Sequence, residues 1–181
     1  NNSGTINAVQ FDNSGTVNNN VGTLTLTQFS NVFHTSNATN SGVLNNFAGA
    51  TVINRTDLTN AGTINNAGIM VNEKTLTSTG TFTGAPGSTL VNTAGAGVMF
   101  LDNLTMAGNF QNDFAVVMTS SNPLLVTPTG TLGGTGLVLG NVLMQGTMSP
   151  GDSPGTFTIG FGNYTQTATG IFLEEIAGTG L

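Results

Sequence analysis

The chain has 181 residues, 6% of them charged and 38% apolar, and a formal net charge of −6 with two basic residues, Arg55 and Lys74. A nucleic-acid backbone is neutralised by several Lys or Arg on one face, so it is excluded as an electrostatic partner, and an anionic membrane surface is disfavoured for the same reason. The absence of cysteine removes disulfide frameworks and Cys-based zinc sites, and no apolar run reaches the roughly eighteen residues of a membrane-spanning helix.

From the N-terminus onward one short β phrase recurs. Gly4-Thr5-Ile6-Asn7, Gly15-Thr16-Val17-Asn18, Gly42-Val43-Leu44-Asn45 and Gly62-Thr63-Ile64-Asn65 are close copies; Gly80-Thr81-Phe82-Thr83, Gly130-Thr131-Leu132-Gly133 and Gly146-Thr147-Met148-Ser149 are looser ones. Counting Gly108 as well, the phrases start at 4, 15, 42, 62, 80, 108, 130 and 146, separated by 11, 27, 20, 18, 28, 22 and 16 residues. The scatter around twenty is expected of a fixed strand core with variable loops. A repeat this short cannot bury its own apolar face and must stack on its neighbours. The opening Asn1-Asn2-Ser3-Gly4 reads as the middle of a repeat and not as a signal peptide, so the chain is expected to be a mature or excised segment.

Local alternation agrees. Thr23-Leu24-Thr25-Leu26-Thr27 puts two leucines on one face and three threonines on the other, and Thr156-Phe157-Thr158-Ile159 repeats the pattern. Helical spacing is absent, and Glu, Lys, Arg and Gln are scarce. Asn40-Ser41-Gly42, Asn60-Ala61-Gly62 and Asn66-Ala67-Gly68 are read as turns whose residues tolerate positive φ; Pro86-Gly87, Pro150-Gly151 and Pro154-Gly155 mark tighter corners. Asparagines at equivalent corners are expected to stack into amide ladders at the strand spacing of roughly 4.8 Å, which makes about nine coils a rod on the order of 40 Å long. Residues 110–128 are the least regular and are read as a coil with a larger loop. The fold expected is all-β: a single right-handed parallel β-helix over residues 1–181, with coils of about 20 residues, forming a segment of, or a protomer in, a longer rod or fibre.

The last third is the most specific. Leu132-Gly133-Gly134-Thr135-Gly136, then Gly146-Thr147-Met148-Ser149-Pro150-Gly151-Asp152-Ser153-Pro154-Gly155-Thr156-Phe157-Thr158-Ile159, then Gly162-Asn163-Tyr164-Thr165-Gln166, resemble the stretch near the end of bacterial autotransporter passengers and related surface β-solenoids. The likeness runs over residues 130–178. The earlier Asn-Gly repeats are similar in composition to filamentous-haemagglutinin-like secreted proteins. The resemblance implies export to the bacterial surface and a role in adhesion, matrix or filament building, with no catalytic residues to carry over. Two positions depart from it. Asp152 stands where Asn is usual, and alternation between Phe172 and Ile176 turns Glu174 inward, where a buried carboxylate is costly.

No catalytic, cofactor-binding or metal residues are assigned. Gly151-Asp152-Ser153-Pro154-Gly155 has the spacing of a nucleophile elbow, but Pro154 has no N–H to offer an oxyanion, and the single histidine, His34, precedes the serine. His34 has no second His or Cys with which to hold a metal. Glu174 and Glu175 point to opposite faces of a strand and cannot flank one glycosidic bond. Gly133-Gly134-Thr135-Gly136-Leu137-Val138 lacks the aspartate of calcium-binding nonapeptides. The glycosylation triplets at Asn37, Asn54, Asn103 and Asn163 arise by chance in an Asn/Thr-rich chain. The expected function is a non-enzymatic, extracellular structural or adhesive element, partnered by itself end to end or by surface and matrix components. Two alternatives stay open: a module binding glycans or surfaces through Asn and Thr rows with exposed Phe or Tyr164, and ice binding through the rows Thr23, Thr25, Thr27 and Thr75, Thr77, Thr79, Thr81, Thr83.

Overall fold

A strand of three to five residues leaves its backbone groups unpaired unless another strand lies alongside, and here the next copy always arrives about one repeat later. The computed structural model describes residues 1–27, 37–151 and 155–174. Its strands form three sheets, in which each strand pairs in parallel with the strands one coil before and one coil after it. The first sheet stacks Thr5–Ala8, Thr23–Thr27, Thr51–Arg55, Ile69–Asn72, Thr89–Asn92, Asn109–Asn112, Thr131–Gly134, Thr147–Pro150 and Ile171–Phe172. The second stacks Asp12–Asn13, Ala38–Asn40, Leu58–Asn60, Leu76–Ser78, Met99–Leu101, Ala115–Met118, Leu137–Leu139 and Thr158–Gly160. The third stacks Thr16–Asn19, Val43–Asn46, Thr63–Asn66, Thr81–Gly84, Leu104–Met106, Leu124–Val126, Val142–Met144 and Tyr164–Gln166. The chain visits the sheets in that order and returns to the first, completing eight coils and beginning a ninth. The architecture is a parallel β-solenoid, and the described residues include no helix.

In-register pairing sorts the side chains into files. Leu24, Val52, Met70, Leu90, Phe110, Leu132 and Met148 face inward from the first sheet. Ala38, Leu58, Leu76, Met99, Val116 and Val138 face inward from the second, and Leu44, Ile64, Phe82, Leu104, Leu124 and Val142 from the third. All are buried, and each large apolar side chain removed from water contributes about 1.5–3 kcal/mol.

The recurring Gly phrase belongs to two sheets. Gly4, Gly108, Gly130 and Gly146 introduce strands of the first sheet, whereas Gly15, Gly42, Gly62 and Gly80 introduce strands of the third. The separation of 11 between Gly4 and Gly15 therefore lies within one coil, and part of the expected loop variation is a change of sheet. The corner glycines also serve a purpose other than the one expected. Gly42, Gly62 and Gly68 are not among the positive-φ residues; Gly87 and Gly151, which follow prolines, are. A Cβ on Gly62 would stand 2.0 Å from the carbonyl oxygen of Gly42, and one on Gly42 equally close to that of Gly15. Glycine is required there because backbones of successive coils approach too closely for any side chain.

The expected amide ladders are present at all three corners. Asn2, Asn19, Asn46 and Asn66 form one, with each Nδ2 donating to the next Oδ1 at 2.8–2.9 Å. In the second, Asn13 donates to Asn40, Asn40 to Asn60, and Asn60 to Ser78 Oγ. Asn54, Asn72, Asn92 and Asn112 form the third. These ladder side chains are buried, none more than 7% exposed, so each bond matters because water cannot replace it. The first member of each ladder accepts from the N–H two residues on, at Gly4, Gly15 and Thr56. The last donors reach backbone carbonyls at Thr89, Gly80 and Leu137.

Towards the C-terminus the corners turn apolar. Asn66 is followed in register by Gly84 and Met106, and Ser78 by Leu101 and Met118. The irregular residues 110–128 are part of a regular sixth coil; its excess length is the corner at Ser120, Ser121, Asn122 and Pro123. Glu174 is exposed and lies beyond the last strand of the first sheet, which ends at Phe172, itself half exposed over Met148. Ile176, the residue on which the inward expectation depended, lies outside the described residues.

Candidate binding surface

Because apolar files fill the interior, whatever this column recognises must meet its corners and outer faces. Several sequence candidates, namely His34, Asp152, Ser153, Pro154 and Glu175, lie outside the described residues. The acidic residues within them are dispersed. Asp12 accepts from Thr39 Oγ1 at 2.6 Å and Gln10 Nε2 at 2.8 Å, and these two bonds, the Thr39 one foremost, hold its carboxyl below the usual aspartate value. Glu73 pairs with Arg55 at 2.8 Å on a half-exposed edge, and the hydrogen bond raises the already high guanidinium value. Asp102 accepts from Thr119. Among the described residues no three His, Asp or Glu side chains come together as a metal site, and no helix is long and apolar enough to cross a membrane.

The threonine rows differ from their expected form. Thr25 is buried, not displayed beside Thr23 and Thr27. Thr77 lies in the second sheet and Thr81 and Thr83 in the third, with Thr75 and Thr79 at the intervening bends, so this row wraps around a corner instead of lying on one face. The longest outer file of the first sheet runs Thr5, Thr23, Thr51, Ile69, Thr89, Asn109, Thr131, Thr147 and Ile171, with threonine replaced at Ile69, Asn109 and Ile171.

Tyr164 continues the inward file above Val142 and is exposed to the same degree as Phe114, 37%. Its hydroxyl donates to Gln166 Oε1 at 2.8 Å, and burial pushes the phenol above its ordinary value. Of the glycosylation triplets, Asn54 is fully buried in its ladder, whereas Asn37, Asn103 and Asn163 are exposed.

A hollow of about 380 Å³ lies where the first sheet turns into the second, across the sixth to eighth coils. It is lined by Asp113, Phe114, Thr135 and Gly136 at the bend and by Ala115, Leu137 and Thr158, which stand in register on successive strands of the second sheet. Its residues follow from the local fold. Asn112 is the last rung of a ladder and ends the strand, so Asp113 and Phe114 are thrown outward at the bend. Gly136 keeps the next coil tight, since a Cβ there would meet the Phe114 carbonyl oxygen at 2.3 Å. Asp113 Oδ1 accepts from Gln111 Nε2 at 2.9 Å and from the Thr135 N–H at 3.1 Å, leaving Oδ2 free. The sequence marks residues 110–128 only as an irregular coil and assigns Phe114 no role; the adjacent Asp-Phe pair directly after a ladder asparagine was the available signal. A smaller hollow of about 230 Å³ lies over the third sheet between Pro123, Asn141, Leu143 and Asn163.

The chain matches no protein-family model, no curated protein and no solved structure.

Proposed function

We propose that the chain is a non-enzymatic structural or adhesive element, secreted and displayed on a bacterial surface. The observation that carries this reading is the continuity of the column: three parallel sheets and three buried amide ladders give a long, stiff body whose usable surface is its flanks. The likeness of residues 130–178 to autotransporter passengers supports the surface location, and the scarcity of charge suits an outer surface built from Thr, Asn and Ser. End-to-end association or continuation into a longer rod is supported by the parallel in-register pairing that every coil offers to the next. Unpaired strand edges at a solenoid end call for a cap or another strand. Electron microscopy and sedimentation of the purified chain test the assembly, with concentration-dependent rods or fibres expected; monomers at every concentration oppose stacking. Antibody labelling of intact bacteria bearing the native protein tests the location, and labelling seen only after lysis refutes it.

A second reading, recognition of a glycan by one flank, is favoured by the hollow at Asp113 and Phe114, where an exposed ring, apolar lining residues and a free carboxylate oxygen converge. Binding pockets commonly combine a mainly apolar lining with a few placed polar groups.

A further inference from the structure

We propose that the hollow at Asp113 and Phe114 is a subsite for one pyranose ring of a neutral polysaccharide; this rests on the glycan-binding reading above. A sugar ring has an apolar C–H face and a polar hydroxyl edge. Phe114, 37% exposed at a bend, offers a ring for the first, with Ala115 and Leu137 in the same lining. Asp113 Oδ2 accepts from the second, and an ionised acceptor makes the stronger hydrogen bond. The carboxylate is fixed in place before any ligand arrives, because Gln111 Nε2 and the Thr135 N–H both hold Oδ1; preorganisation of this kind lowers the ordering cost of binding. Thr135 and Thr158, exposed residues of the lining, offer hydroxyls as adaptable donors or acceptors.

The outer face beside the hollow changes character one coil before it, at Phe100. Along the second sheet the outward file reads Thr39, Thr59, Thr77 and then Phe100, Val117, Leu139. An uncharged, half-buried apolar strip thus lies beside the hollow, two residues further along each strand than Ala115 and Leu137. A further ring of the same glycan can lie on this strip, whose coils succeed one another at roughly 4.8 Å. The charge selects the class of sugar: the local Asp113 carboxylate and the net charge of −6 repel uronic and sulfated glycans.

The test screens the purified chain on an array of neutral and acidic oligosaccharides, then titrates cellohexaose, chitohexaose and mannohexaose by calorimetry. Capture of neutral glycans is expected. Phe114→Ala weakens the best of them about tenfold or more, Asp113→Asn weakens it several-fold, Phe114→Tyr retains it, and Phe47→Ala at a remote corner leaves it unchanged. Circular dichroism and urea midpoints confirm that the variants fold. Binding that persists in both Phe114→Ala and Asp113→Asn overturns the subsite and leaves the glycan reading standing. A preference for acidic glycans overturns the neutral class, and no capture of any glycan overturns the subsite together with the reading beneath it.

Discussion

Asn45 and Asn46 are neighbours in one strand, each inserted in an amide ladder, yet they face opposite sides of the sheet, which makes them a matched pair. Asn46, 1% exposed, accepts from Asn19 at 2.9 Å and donates at 2.8 Å both to Asn66 Oδ1 and to the Ile69 carbonyl. Asn45, on the outer face, donates to Asn18 at 2.8 Å and accepts from Asn65 at 2.9 Å. Asn46→Ala strands one buried acceptor, Asn66 Oδ1, and one buried donor, an N–H of Asn19 Nδ2; at about 1–3 kcal/mol for each, a loss of about 3–4 kcal/mol is expected. Asn45→Ala exposes its partners to water, which substitutes for the amide, and the loss stays within about 0.5 kcal/mol. Asn46→Asp is expected to be worse than Ala at neutral pH, because an ionised carboxylate there faces acceptors and has no proton to give. Burial among acceptors raises its folded-state pKa, so part of the loss is recovered as the pH falls. Urea unfolding followed by far-UV circular dichroism gives the midpoints and slopes; the slope needs watching because repeat columns can unfold in blocks. Equal losses at positions 45 and 46 would refute the argument that burial, and not the bond itself, gives the ladders their weight.

Other expectations follow from single contacts. Gly62→Ala places a Cβ 2.0 Å from the Gly42 carbonyl and should destabilise by roughly 3 kcal/mol or more. Gly49→Ala, at φ +82 with open space around it, should cost only about 1 kcal/mol; a reversed order in thermal melts would show that close approach is not the constraint. All six methionines are buried, Met118 least so at 8%, so mild peroxide should oxidise Met118 first and the others only under denaturing conditions, as peptide mass spectrometry would reveal. The depressed Asp12 carboxyl contributes stability that is present above the ordinary aspartate value of about 3.9 and is lost as the pH falls through its lower folded-state value. Its full exposure keeps the effect small; Asp12→Asn should flatten that part of an acid titration of the urea midpoint, and an unchanged profile would contradict it.

Much of the fold was legible because it is written in local terms. Period-two phrases such as Thr23–Thr27 identify strands, and the asparagine corners predict the ladders that the structure contains. Other features depend on the phase of each strand relative to the column. Strands of three or four residues allow one or two alternations, and every corner resets the phase, so Thr75 to Thr83 read as one row although the chain turns within it. In Met99-Phe100-Leu101 and Ala115-Val116-Val117-Met118 both faces are apolar, and the inward and outward files are separated only by their register with neighbouring coils. The requirement for Gly62 was equally hidden, since the atom it must avoid belongs to Gly42, one coil away. The Asp113 and Phe114 hollow needs the seventh coil to supply Leu137 and Thr135 to its lining.

Asn40 receives an amide bond from Asn13 and gives one to Asn60, both at 2.6 Å; chemically, neither joint records which turn of the column it belongs to. Unequal recombination between such turns would therefore add or remove whole units without asking for a new interface. The height of the molecule behaves as an inherited ruler setting, adjustable by duplication while every rung still finds its mate.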